Sequence, residues 1–321
     1  MLADDASDLG GSGRDWNYVA ERALTRLASV EEHTTLVRLF HGRGKTHPGF
    51  EDVTVDLLGN VIVIALFAEE DPTVAQLGSL LEAGIAKLPV APAIVGCMRQ
   101  LRRGRQTEAV TLWGEVPART EGREAGLSYL LQPLLNQNVG LFLDAAPLRQ
   151  WVRANAKDRV VLNLFAYTCG FSLAAIAGGA KQVVNNDMSR PALDWGKENH
   201  ALNGHPAQKV TYLPHNLLKS WQKVRRTGPY DLVIIDPPTN QRGSFNAEKQ
   251  YGGVLKQVAK MMSPDSLVAV CLNSPFLDHQ FLENQMARWM PRARHQQWLP
   301  SSADFPELEP ERALKVGLYR G

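Results

Sequence analysis

VVLNLFAYTCGFSLAAIAGGA, residues 160–180, joins an apolar run, a polar turn and a small-residue segment. A strand that ends in a polar turn and restarts as a helix leaves unpaired backbone N–H groups at the helix start, where a ligand can satisfy them. The turn that cradles a pyrophosphate is rich in glycine, because two phosphates must approach the backbone closely. Here a lone glycine, Gly170, follows Cys169. The stretch therefore raises the question of what a turn built from Ala166, Tyr167, Thr168, Cys169 and Gly170 can hold.

Outward from this turn the chain keeps a regular rhythm. The strand-like runs VVLNLF, KQVVNND, KVTYL, YDLVIID and SLVAVCLN alternate with the helical segments FSLAAIAGG, RPALDWGKENHALNG, LLKSWQKVRR and NAEKQYGGVLKQVAKMM. Near-continuous apolar strands separated by helices predict a parallel sheet covered on both faces, so residues 151–321 read as a doubly wound α/β domain. Upstream, WNYVAERALTRLASV has helical spacing, and two alternating runs meeting near Leu58-Gly59-Asn60 predict a hairpin. Asp71-Pro72 opens another helix, and residues 93–116 offer two strands around a basic loop. Residues 16–120 thus read as a small α+β domain and 121–150 as a connecting hairpin. Residues 1–15 form an acidic, Gly/Ser-rich leader expected to be disordered.

Composition narrows the class. With 321 residues, 44% of them hydrophobic, the chain can bury one large core or two ordinary ones. Its longest apolar runs, such as NVIVIALF, fall well short of the roughly 20 residues of a membrane helix, and the leader lacks the apolar core of a signal peptide. A cytoplasmic protein is expected. Cys97, Cys169 and Cys271 are widely spaced and follow no zinc or disulfide pattern, so no metal is expected. The net charge of +2 is uninformative, but the basic residues cluster. Arg99, Arg102, Arg103 and Arg105 lie in MRQLRRGR, and Lys219, Lys223, Arg225 and Arg226 in KSWQKVRRTG. Each cluster reads either as a phosphate-binding patch or as an ordinary solvated face.

In doubly wound sheets ligands bind beyond the carboxyl ends of the strands. Asp187 ends the second run near the position, about 20 residues past the first turn, where an acidic residue accepts from a ribose diol. A helix cap is the competing reading of Asp187. His215 and Asn216 follow the third run, and Asp236-Pro237-Pro238-Thr239 the fourth. Two consecutive prolines fix two φ angles and remove two donors, which builds a rigid edge suited to the meeting point of substrate and cofactor. The absence of GxGxxG argues against a dinucleotide, whereas a phosphate-free nucleoside tolerates Tyr167 and Cys169 in the turn. S-adenosylmethionine fits: a ribose for Asp187, an adenine to lie against Met188, and an amino-acid tail for the first turn. Methyl transfer is therefore favoured over hydride transfer.

VGLFLD (139–144), LNLFAYTCGFS (162–172), GGA (178–180), NDMSRPALDWGKENHALNG (186–204) and YDLVIIDPPT (230–239) resemble the class I S-adenosylmethionine-dependent methyltransferases of large-subunit ribosomal RNA. The resemblance is greatest to the domain that methylates guanine N7 in 23S rRNA and extends to the related cytosine-C5 enzymes. It implies a Rossmann-like, mostly parallel sheet preceded by the smaller α+β domain. It also implies that Phe142, Asp144, the first-turn residues, Asp187 and Asp236 border S-adenosylmethionine, while Pro237, Pro238 and Thr239 face the target base. Asn216 stands where the family commonly has an Asp on the adenine amino group, Cys169 where it has glycine, and Asn240 where an aromatic is usual. Ala145-Ala146 replaces a polar pair. Cytosine C5 needs a cysteine to add at C6, and the resemblance places Asn273 at that cysteine's position. Guanine N7 carries an exposed lone pair, for which positioning suffices. The expectation is an enzyme acting on rRNA, with N7 preferred; a protein or small-molecule methyltransferase and a non-catalytic RNA-binding relative are the alternatives.

Overall fold

The computed structural model describes residues 13–30, 34–67, 69–88, 93–104, 106–134, 138–241 and 245–321. Helix α1 (Trp16–Ala28) starts at Asp15, whose carboxylate accepts from Asn17 N at 3.1 Å, and buries Trp16, Val19, Ala20, Ala23 and Leu27 along one stripe. Strands β1 (Leu36–His41), β2 (Val53–Leu58) and β3 (Val61–Leu66) pair antiparallel, and Leu58 faces Val61 across the expected hairpin. Helix α2 (Val74–Ile85) carries the chain to β4 (Gly96–Arg103), which lies parallel to β3, and β5 (Gln106–Gly114) closes a five-stranded sheet in the order β1-β2-β3-β4-β5.

One expectation fails here. Most of MRQLRRGR is not a loop but strand β4, and Arg99 points inward, 5% exposed, with its guanidinium 2.9 Å from both Glu70 and Glu108. Arg102 bonds the Gln100 side chain, Arg103 ends the strand exposed, and Arg105 lies outside the described residues. The stretch does not form a four-arginine surface.

Strands β6 (Thr120–Glu124) and β7 (Leu127–Leu131) form a hairpin, and helix α3 (Ala146–Asn155) spans the boundary expected at residue 150. The large sheet follows: β8 (Val160–Leu164), α4 (Gly170–Ala177), β9 (Gln182–Asp187), α5 (Arg190–Leu202), β10 (Val210–Pro214), α6 (Trp221–Arg225), β11 (Tyr230–Ile235), the short pair β12 (Asn240–Gln241) and β13 (Phe245–Asn246), α7 (Ala247–Val258), β14 (Met262–Leu272), α8 (His279–Trp289), β15 (Arg294–Trp298) and β16 (Lys315–Arg320). The strand order is β10-β9-β8-β11-β14-β16-β15, parallel except where β16 runs antiparallel to both neighbours. The chain moves outward in one direction from β8 and returns through β11, so the switch point lies between β8 and β11.

Alternation along the central strands explains their continuous apolarity. Val161, Val183, Leu232, Ile234 and Ala269 enter one core cluster, while Leu162, Leu164, Val184, Val233 and Val270 enter the other. Both faces are covered, so most positions are apolar and the polar ones that remain, such as Asn163 and Asn185, must find partners inside. The first cluster also takes Leu36, Leu58, Val61, Val63 and Met98 from the N-terminal sheet, which joins the two sheets through a common core. A buried polar chain crosses it: Asn163 donates to Asn185 (2.9 Å), Asn185 to Ser172 (3.0 Å), and Ser172 Oγ lies 2.9 Å from His200 Nε2. Burial pushes His200 down to about 3, so it remains a neutral partner.

Candidate active site

The loop leaving β8 is conformationally strained. Phe165, Tyr167 and Cys169 all have left-handed backbones, with φ of 59°, 47° and 67°. Each costs a non-glycine residue about 1–2 kcal/mol. The surroundings hold them: Ala166 N donates to Asn186 O (3.0 Å), Thr168 Oγ1 to Gly140 O (2.6 Å), and Asn199 Nδ2 to Thr168 O (3.1 Å). Tyr167 OH reaches Asn138 O at 3.0 Å. The loop forms one wall of a cleft of about 630 Å³ at the switch point.

Asp187 completes that restraint. Its Oδ2 accepts from Tyr167 N at 2.9 Å and its Oδ1 from Ser189 N at 2.8 Å. The cap of α5 is Ser189, which accepts from Ala192 N, so Asp187 does not cap the helix. Each carboxylate oxygen keeps an acceptor direction, the arrangement a vicinal diol requires. Burial raises its pKa, and the N–H groups of Ser189, Tyr167 and Met188 oppose that shift.

The cleft brings together Phe142, Asp144, Ala166, Tyr167, Thr168, Gly170, Asp187, Met188, Asn216 and the segment from Asp236 through Pro237 and Pro238 to Thr239. Phe142 (44% exposed) and Met188 (48%) present open apolar surface, and the Phe142 ring lies 5.5 Å from that of Tyr167. Asn216 lines the cleft, yet its side-chain oxygen also accepts from Leu218 N at 3.0 Å, which leaves one lone pair for a ligand. Thr239 O accepts from Ala247 N, and Thr239 Oγ1 donates to Asn273 O, which ties the two-proline edge to α7 and to the end of β14.

Cys169 is the correction. It is fully buried and absent from the cleft wall, and burial pushes its thiol well up. A Cβ on Gly196 would stand 3.0 Å from Cys169 Cβ and closer still to its sulfur. The Cys169 side chain therefore supplies a core contact rather than a cleft surface, on a left-handed backbone. The backbone also explains the glycine usual at this position, since glycine adopts positive φ without a Cβ penalty.

Two carboxyls, Asp144 and Asp236, line the cleft. Burial first, then the charge of Asp144, pushes Asp236 up to about 7, against the pull of Arg149 and a bond to the Cys271 thiol. Burial also raises Asp144, again opposed by Arg149. Sequence reasoning missed Arg149. Its guanidinium grips Glu124 at 2.5 and 2.7 Å and Phe142 O at 2.8 Å, which fixes the Phe142–Asp144 strip from behind. The partners lie 25 residues apart, so no local pattern announces the pair. Asn138, Leu141, Phe165, Phe245, Asn273 and Leu314 also line the cleft. Among the described residues no cluster of three or more His, Cys, Asp or Glu is placed to hold a metal, and no helix is long and apolar enough to cross a membrane.

A mostly parallel seven-stranded sheet in this order, with an acidic residue closing the second strand and a cleft beyond the first, defines a class I methyltransferase fold. The chain belongs to the S-adenosylmethionine-dependent methyltransferase family, whose model matches residues 37–320. It is 30% identical over 66% of its length to a ribosomal RNA large subunit methyltransferase K/L of Pseudoalteromonas translucida, of which it spans 31%. It is 32% identical over 62% of its length to a ribosomal RNA large subunit methyltransferase I of Alteromonas mediterranea, of which it spans 51%. The resemblance to rRNA enzymes expected from the motifs is thus found over 62–66% of this chain, which spans about half or less of those relatives. In structure, a candidate S-adenosylmethionine-dependent methyltransferase from Streptococcus mutans superposes over 96% of this chain and 82% of its own, with a TM-score of 0.80 at 22% identity, a likeness of fold.

The residues present fit the family's cofactor. Asp187 keeps lone pairs for a ribose, Phe142 and Met188 offer apolar faces for adenine, and Asp144 with Asp236 makes a site that favours a cation.

Proposed function

We propose that this chain methylates a base of large-subunit ribosomal RNA, with guanine N7 as the acceptor. Bound in the cleft, S-adenosylmethionine would supply an electrophilic methyl group. Asp187 holds the ribose, and Asn216 and Met188 border the adenine. Asp236 with Pro237, Pro238 and Thr239 seats a flipped-out base, because a methyl acceptor inside a helix cannot reach such a cleft. In-line transfer to a nitrogen lone pair needs positioning and an electrostatic match rather than a covalent nucleophile.

The observation that carries N7 over cytosine C5 is the absence of a usable thiol. The chain has three cysteines, and all three are buried. Cys271, hydrogen-bonded to Asp236 of the cleft, is fully buried, and burial together with Asp236 pushes its thiol pKa well up, so it does not form the thiolate that adds to C6. Asn273, two residues on, is the residue that reaches the cleft.

Tritium transfer from methyl-labelled cofactor to 23S rRNA, followed by digestion to nucleosides, tests the reading. Label is expected in N7-methylguanosine, with undiminished transfer by Cys271→Ser. Label in 5-methylcytidine, or in protein or small-molecule fractions only, refutes it. Calorimetry that shows no cofactor binding would leave the non-catalytic alternative.

A further inference from the structure

A second cavity, also about 630 Å³, shares Phe142, Asp144, Asn273 and Leu314 with the cofactor cleft and opens between the N-terminal sheet and the segment before β16. Its walls carry four arginines, Arg38, Arg43, Arg102 and Arg312. Three carboxylates reach the same space: Asp56 binds Arg38, Glu307 lies 3.5 Å from His41 Nε2, and Asp144 faces the cleft. Arg43, Arg102 and Arg312 make no ion pair with any described residue. Arg43 and Arg102 sit over one ring, their guanidinium carbons 4.1 and 5.2 Å from the centre of Phe67, which sets two fixed forks side by side.

We infer that this cavity seats the sugar–phosphate backbone of the RNA strand next to the target nucleotide, with Arg43, Arg102 and Arg312 on its phosphates. The inference rests on the RNA reading above. The arginines repel one another: burial lowers Arg43 first, and the charges of Arg38 and Arg312 lower it further, against Glu307. Arg102 is lowered by burial and by Arg38 and Arg43, against Asp56. His41 is pushed down to about 3 by burial and the same arginines, so it adds no charge. An anion relieves this repulsion, and planar guanidinium forks match phosphate oxygens two at a time. The shared wall makes the strand continuous with the base cleft: a nucleotide flipped past Phe142 leaves its neighbours over the arginines. Phosphate contacts of this kind hold and orient the strand without reading its sequence. They also give the N-terminal sheet a role in which one arginine of the basic β4 stretch, Arg102, takes part.

The test compares two full-length variants that remove equal charge. One carries Arg43→Ser, Arg102→Ser and Arg312→Ser; the other carries Lys219→Ser in the turn before α6 together with Lys223→Ser and Arg225→Ser on α6, all three exposed. The readouts are the salt dependence of binding to a fluorescein-labelled single-stranded oligoribonucleotide of about ten nucleotides and calorimetric affinity for S-adenosylmethionine. Losing three phosphate contacts flattens the slope of log K against log salt by about 2. The arginine variant is expected to show that change with cofactor affinity intact, and the α6 variant to match wild type. An unchanged slope in the arginine variant, or an equal change in both, overturns the site. Loss of binding to polyglutamate rather than to RNA overturns RNA as its occupant. A wild-type chain that binds RNA through these arginines yet labels no rRNA supports the site and refutes the proposed activity, so the two failures are told apart.

Discussion

Replacing Asp236 with asparagine is expected to stabilise the fold above neutral pH while lowering methyl transfer. Folding lifts this carboxyl from an ordinary value of 3.8 to about 7. An acid whose folded pKa is raised favours the folded state in its protonated form, so its contribution is intact below about 3.8 and is lost as pH rises through about 7. At pH 8 the carboxylate is held beside Asp144 in a partly buried site, and a shift of about three units corresponds to a ceiling of about 4 kcal/mol. The cleft is open to water, and an effective dielectric near 20 describes such sites better than a dry interior, so about 1–2 kcal/mol is the expected size. Asparagine keeps the shape and removes the charge.

The assay is thermal unfolding of wild type and Asp236→Asn in parallel at pH 8 and pH 5. About 2 °C per kcal/mol for a chain of this size gives a gain of roughly 2–4 °C at pH 8. The gain should fall to less than half at pH 5, within the window from 3.8 to about 7. A gain of the same size at both pH values, or a loss at pH 8, would show that Asp144 and burial do not act on Asp236 as described. A stability gain coupled to lost transfer is the behaviour of a group kept for function at the expense of the fold.

Asp187→Ala removes two charge-assisted bonds to backbone N–H groups and frees the strained loop; calorimetry should show cofactor affinity falling on the order of a hundredfold, about 3 kcal/mol, and unchanged affinity refutes its assigned role. Arg149→Ala leaves Glu124 buried without its partner and should cost about 3–5 kcal/mol in urea unfolding, whereas Glu124→Gln with Arg149→Met should recover much of that loss. At Cys169, glycine should be better tolerated than alanine, by about 1 kcal/mol in the same assay, because both lose the buried sulfur but glycine alone relieves the φ of 67°. An alanine variant more stable than the glycine variant would contradict a strained backbone there.

The large sheet was legible where burial leaves one choice. With both faces covered, β8, β11 and the second half of β14 are mostly apolar, broken only at a few positions such as Asn163, while β9 keeps Val183 and Val184 beside Asn185. Residues at the strand ends, among them Asp187 and the Asp that follows β11, mark the cleft by position alone. The edge strand β15, RHQQW, is largely exposed, pairs only with β16, and carries no such signal. The basic stretch before residue 105 misled because charge was counted along the chain. Alternation in β4 turns Arg99 inward onto Glu70, 29 residues away, and β5 brings Glu108 beside it. Arg149 escaped notice for the same physical reason, since its partner Glu124 sits on a different element.

The turn after β8 shows where residue types stop being informative. No amino acid in FAYTC demands a left-handed backbone, so the three positive φ angles at Phe165, Tyr167 and Cys169 cannot be read from it. They follow from what surrounds the loop: Asp187 pulling on Tyr167 N, Asn199 on Thr168 O, and Gly196 leaving room for the Cys169 side chain. Together the three residues store a few kcal/mol of strain, which a fold of ordinary stability tolerates only where neighbouring elements over-determine it. Those elements, β9 and α5, are also the ones that present Asp187 and Met188 to the cleft. Loop shape and cofactor contacts are therefore set by one set of bonds, and loosening Asp187 should disturb the site through the loop as well as through the ribose.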